Sequence, residues 1–218
     1  MKYPCVFRES YISLLGQLEL RVNSNDQLFS AEFRNNIFAT LGHDVTIKRV
    51  TPSLDWLPQH MHVESIAAWM FYISKRNSSE EQLSISIDLI TQDSTIICGS
   101  TTGERLVAIE FENGIRQMHI GTEDEDAMAF RASIDDYMPQ RLMKSLTNYQ
   151  LEITAITATG LLTQVPPLEV GEQFYFHYIV AENPCRQSVD YPNESDVSTW
   201  FAVEQSKKQL EQARRSQL

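Results

Sequence analysis

Alternation of apolar and polar positions is the dominant signal along this chain. Leu83, Ile85, Ile87 and Leu89 alternate with Ser84, Ser86 and Asp88, and Leu18, Leu20 and Val22 alternate with Gln17, Glu19 and Arg21. Successive side chains of a strand point to opposite faces, so each run predicts a strand with one buried side. Shorter β-rich stretches at 45–50, 95–98 and 151–158 are bounded by Gly, Asn, Asp or Ser and predict further strands. At 174–180 both alternating sets are apolar: Phe174, Phe176, Tyr178 and Val180 on one side, Tyr175, His177 and Ile179 on the other. That run belongs in the middle of a sheet or at an interface.

Asn113-Gly114 stands between two β-rich runs and predicts a hairpin, because a type I′ turn needs the positive φ angles these residues tolerate. A two-residue loop would set Ile109 opposite Met118 and Val107 opposite Ile120. It would gather Val107, Ile109, Phe111, Met118 and Ile120 on a core face and leave Ala108, Glu110, Gln117 and His119 facing water.

Helical signals are fewer. Thr122 and Glu125 have capping-box spacing, and Glu123 to Asp126 place negative charge where a helix dipole is positive. Asp135 or Asp136 is expected to cap a second segment with Pro139 in its first turn. A third helix closes the chain, with Glu204/Lys208 and Glu211/Arg215 spaced as i, i+4 pairs. Leu210 and Ala213 supply it with little apolar surface, so its end is expected to fray. Residues 66–73 fit either period; Ile66, Met70 and Ile73 favour a helix, which is the expectation taken here. Residues 182–198 are polar, contain Pro184 and Pro192, and predict an exposed loop.

With no repeat or linker, the pattern predicts one domain over 1–218 of the α+β class: mainly antiparallel sheet or half-barrel with two or three covering helices. Composition agrees, since 42% hydrophobic and 22% charged residues are ordinary globular values. The net charge of -11 argues against nucleic acid as a partner, because phosphate binding needs clustered Lys and Arg. It suits a basic protein partner or solubility alone. No apolar run reaches the ~20 residues of a membrane span, and residues 1–10 lack the apolar run of a signal peptide. Cys5, Cys98 and Cys185 share no metal spacing and fit a reducing, cytoplasmic setting.

Candidate chemistry is sparse. His60, His62 and Glu64 could meet one divalent ion if their segment is extended, which would allow a metal-dependent hydrolase; in a helix His62 would point away. Solvated histidines are the simpler expectation there. His119 near Glu110 reads as a surface pair, and His43-Asp44 after Gly42 as a turn. No nucleophile elbow, P-loop or dinucleotide-binding glycine pattern occurs, and no cofactor is expected. The leading expectation is a non-enzymatic protein-binding module of the inhibitor, immunity or adaptor kind. Its acidic surface and an aromatic sheet face bearing Tyr175, His177 and Ile179 would engage another protein. A carrier for a small apolar ligand, with Phe174 and Phe176 lining a barrel-like cavity, is the alternative.

Overall fold

Residues 66–73, the ambiguous stretch, lie in an eleven-residue strand and not in a helix. The computed structural model describes residues 4–26, 32–34, 37–103, 105–186 and 197–215. Within them the strands are β1 (Cys5–Ile12), β2 (Gln17–Ser24), β3 (Glu32–Arg34), β4 (Ile37–Ala39), β5 (His43–Val50), β6 (Ser65–Lys75), β7 (Leu83–Ile90), β8 (Ile97–Gly103), β9 (Leu106–Glu112), β10 (Arg116–Glu123), β11 (Thr154–Ile156), β12 (Gly160–Gln164) and β13 (Gln173–Pro184). The helices are α1 (Glu125–Ser133), α2 (Met143–Thr147) and α3 (Ser198–Arg215), with a 3-10 turn at Gln140–Leu142.

The strands form two open antiparallel sheets. One runs β1-β2-β7-β12-β11, the other β3-β4-β5-β6-β13-β10-β9-β8. They pack face to face over a core in which Leu20, Val22, Ile85 and Ile87 meet Phe71, Phe176, Tyr178, Phe111 and Ile120. Phe71 stacks on Phe176 with ring centroids 4.5 Å apart, and the Tyr178 hydroxyl crosses between sheets to donate to the Ile85 carbonyl at 2.9 Å. Helix α3 covers the other face of the larger sheet, where Ala202, Val203 and Leu210 pack on Ala68, Met70, Ala108, Tyr175 and Ile179.

This third layer explains why β6 was misread. Its odd positions face the smaller sheet and its even positions face α3, so both are apolar and the period-two signal vanishes. The same layer overturns the expectation that Ala108, Gln117 and His119 face water, since all three are buried. Near the end of α3, Arg214 is 0% exposed and donates to Asp136 at 2.5 and 3.1 Å, while 216–218, where fraying is expected, lie outside the described residues.

The hairpin is present with a longer loop than expected. Glu112 pairs with Gln117, Phe111 with Met118 and Ile109 with Ile120. Asn113 Oδ1 accepts from the N–H groups of Ile115 and Arg116, at 3.1 and 2.9 Å, and Gly114 takes φ +78°. The pairing differs by two residues from that of a two-residue loop. An even shift leaves every side chain on its face, so Ile109, Phe111, Met118 and Ile120 are buried as expected. Asp124, not Thr122, caps α1, with Oδ1 accepting from the Ala127 N–H at 2.9 Å; Thr122 and Glu123 still belong to β10. At the other expected loop, β13 continues to Pro184, and 187–196 lie outside the described residues. Among the described residues no helix is long and apolar enough to cross a membrane, and Cys5, Cys98 and Cys185 are free thiols.

Candidate functional site

Tyr175, His177 and Ile179 share one face of β13, as their spacing requires, and each is 0% exposed beneath α3. The aromatic face expected to meet a partner is therefore occupied by the chain's own helix. Around it lies a polar cluster. The guanidinium groups of Arg131 and Arg214 sit over the Tyr175 ring, 5.3 and 4.7 Å from its centroid. Arg131 also donates to Glu123 at 2.8 Å and to the Tyr175 carbonyl at 2.7 Å. Burial works against ionisation of Glu123, but Arg131, His177 and Arg214 outweigh it and hold that carboxyl low. Burial takes the His177 imidazole down to about 4, and its Nδ1 lies 3.1 Å from the Tyr175 hydroxyl. These groups lock α1 and α3 to the sheet; the arrangement is structural.

His60, His62 and Glu64 do not assemble a metal site: no group of three ligand-type side chains occurs among the described residues. Their stretch is neither helix nor strand, the His62 N–H donates to Ser198 Oγ at 3.1 Å, and Glu64 is paired with Arg116. Phe174 and Phe176, proposed to line a carrier's cavity, are packed in the core with ring centroids 5.5 Å apart.

Among the described residues, two places present chemistry to solvent. The first is the β8 edge. Strand β8 pairs only with β9 among the described residues, so its outer row of N–H and C=O groups is open. Its sequence, Ile-Cys-Gly-Ser-Thr-Thr-Gly, has no charge and no proline. Residues 97–100 are all exposed, Ile97 to 66%. The other long edge, β1, carries Arg8, Glu9 and a register shift near Cys5, which are the usual defences against stray pairing. Behind β8, Glu110 pairs with Gly99 and Glu112 with Ile97. Burial and the neighbouring Glu112 both raise the Glu110 carboxyl. His119 Nε2 is 3.9 Å from Glu110, yet burial lowers that imidazole to about 4, so it is neutral at pH 7 and does not offset the charge. The strand signal at 95–98 was legible in the sequence, but its place at an edge was not.

The second is a cleft of about 660 Å³ where the two sheets meet at one end, lined by His43, Lys75, Ser79, Glu81, Leu151 and Val165 among others. The Glu81 carboxylate lies at its base and accepts from Ser24 Oγ and Thr40 Oγ1 at 2.6 Å, the Gly42 N–H at 2.7 Å and His43 Nδ1 at 3.0 Å. Burial alone would raise this carboxyl; the hydrogen bonds from His43, Ser24, Thr40 and Gly42 overcome it and bring it down to about 2. Sequence reasoning missed this site because His43-Asp44 reads as a turn, whereas His43 opens β5 and is buried. The class defined by these features is a two-sheet antiparallel sandwich with one helical cover, an open strand edge and a polar cleft. No family model, curated protein or solved structure matches the chain.

Proposed function

We propose that this chain is a non-enzymatic protein-binding module that accepts an extended, basic segment of another protein as an added strand on β8. The observation that carries this reading is the open, uncharged edge of β8 backed by Glu110 and Glu112, which make no ion pair with a lysine or arginine among the described residues. An added strand satisfies the free backbone groups and supplies sequence-independent affinity, while alternate side chains supply selectivity. Gly99 has no side chain, and a Cβ built there meets nothing within 4 Å. A lysine or arginine on the incoming strand opposite Gly99 therefore has a clear path to Glu110. Strands lie about 4.8 Å apart, so the two backbones are about 10 Å from each other and their long side chains meet between them. The overall charge of -11 favours encounter with a basic segment. This keeps the expected acidic binding surface but moves the contact from Tyr175, His177 and Ile179 to the sheet edge.

The test uses an alternating Lys-Val peptide of nine residues, with Glu-Val and proline-interrupted versions as controls. Binding is followed by fluorescence anisotropy and by amide exchange of residues 97–103. The Lys-Val peptide is expected to bind and to protect those amides, with affinity falling as salt rises. Gly99→Lys puts an edge-protecting charge where there is room for it; it is expected to leave thermal stability unchanged and to weaken binding at least about tenfold. Equal binding of the Glu-Val peptide, or protection elsewhere than β8, overturns the proposal. Self-association through β8, seen as a dimer lost in Gly99→Lys, would replace the heterologous partner with a second copy of the chain.

A further inference from the structure

We propose that Lys75 is an amine nucleophile whose cleft takes a small apolar aldehyde as a Schiff base. The inference is independent of the strand-addition reading and rests on how the cleft is built. Lys75 ends β6, is 7% exposed and lines the 660 Å³ cleft. Among the described residues its side chain makes one hydrogen bond, to Ser79 Oγ at 3.5 Å, and no ion pair. Glu81 is the nearby buried carboxylate, but its oxygens are already held by Ser24, Thr40, Gly42 and His43. Ser79 is itself fixed: its Oγ occupies the space of a Gly42 side chain, 2.0 Å from where a Cβ would stand.

A buried ammonium without a direct counter-ion favours losing its proton, because burial penalises the charged form. The other titratable groups of the cleft are His43, Glu80 and Glu152, and the last two are exposed. Burial accordingly lowers the Lys75 amine, and the attraction of Glu81 opposes this without cancelling it. An amine whose charged form is disfavoured by burial, facing a polar cleft with one apolar side, is the arrangement that activates lysine toward carbonyl compounds. Leu151, Val165 and Pro167 give an alkyl chain its contact surface.

The step balances without oxidant or reductant. The Lys75 Nζ lone pair attacks the aldehyde carbon, a C–N bond forms, and the carbonyl π pair moves to oxygen. The Ser79 hydroxyl carries the proton that nitrogen loses to that oxygen, giving a carbinolamine. Loss of water then breaks the C–O bond and leaves the imine.

The experiment incubates the folded full chain with hexanal and cyanoborohydride at pH 7, then maps the adducts by peptide mass spectrometry. Lys48, Lys144 and Lys208, all exposed, serve as internal references. Lys75 is expected to be modified several-fold faster than any of them, because burial leaves more of its amine unprotonated. Ser79→Ala is expected to slow Lys75 modification severalfold and leave the reference lysines unaffected. In urea the selectivity is expected to vanish. A Lys75 rate at or below that of the exposed lysines, or a selectivity that survives unfolding, overturns the proposal.

Discussion

Glu81→Gln preserves the shape of a buried side chain while removing the charge on which four donors converge. In the native chain the carboxylate joins both sheets: Ser24 ends β2 of the smaller sheet, and Thr40, Gly42 and His43 connect β4 to β5 of the larger one. Held at about 2 against the usual 4.5, the ionised group contributes about 3 kcal/mol to folding at neutral pH. Glutamine offers one acceptor oxygen and turns the other atom into a donor that faces donors, so some partners are orphaned as well. Because the folded-state pKa is depressed, the contribution is complete above pH 4.5 and is lost as the pH falls toward 2. The assay is urea unfolding of wild type and variant at a series of pH values. With a urea m-value of about 2–3 kcal/mol/M for a chain of this size, the variant's midpoint is expected about 1 M lower at pH 7. The two curves should narrow steadily below pH 4.5 and converge below about pH 2. A midpoint change below about 0.3 M at pH 7, or a difference that does not narrow in acid, refutes the reasoning.

Three further outcomes follow from the same geometry. Gly114 has φ +78° and open space around it, so Gly114→Val is expected to cost about 1–2 kcal/mol through the backbone alone, and Gly114→Asn markedly less, in thermal unfolding. Burial lowers His119 and His177 from 6.5 to about 4; unfolding takes up protons between those values, so stability present above pH 6.5 declines by up to about 3 kcal/mol per histidine toward pH 4. His119→Gln combined with His177→Gln should flatten that decline in denaturant titrations. Arg214→Met removes the guanidinium that pairs with Asp136 in the buried layer and is expected to cost about 3 kcal/mol and to expose α3 amides to exchange, whereas adding Asp136→Leu should recover most of the loss.

Much of the strand content could be read directly. β2 and β7 belong to a sheet with one face on the core, and the alternation of Leu18, Leu20 and Val22 or Leu83 to Leu89 records that asymmetry. The hairpin's faces were also legible, because a pairing shift of two residues leaves each side chain where it was. Its register was not: Asn113 supplies side-chain acceptors for two backbone N–H groups and so supports a longer loop. The candidate sites were harder. Ser24, Thr40, His43, Lys75 and Glu81 come from separate stretches of chain, and no spacing marks them as a group.

Sequence by itself determined the class of this protein, antiparallel strands with a few helices, because side-chain periodicity is a local property of the backbone. It also determined the absence of nucleotide-binding and nucleophile-elbow motifs, which are local patterns too. Only the tertiary structure decided which apolar faces are covered. Tyr175, His177 and Ile179 read as an exposed aromatic face until α3 is placed on them, and α3 reads as a weakly apolar helix until Ala202, Val203, Leu210 and the Arg214–Asp136 pair are seen beneath it. The order of strands likewise left β8 at an edge and brought Glu81 under the cleft. Burial and pairing depend on which distant segments meet, and that is settled by the packing of the whole chain rather than by any window along it.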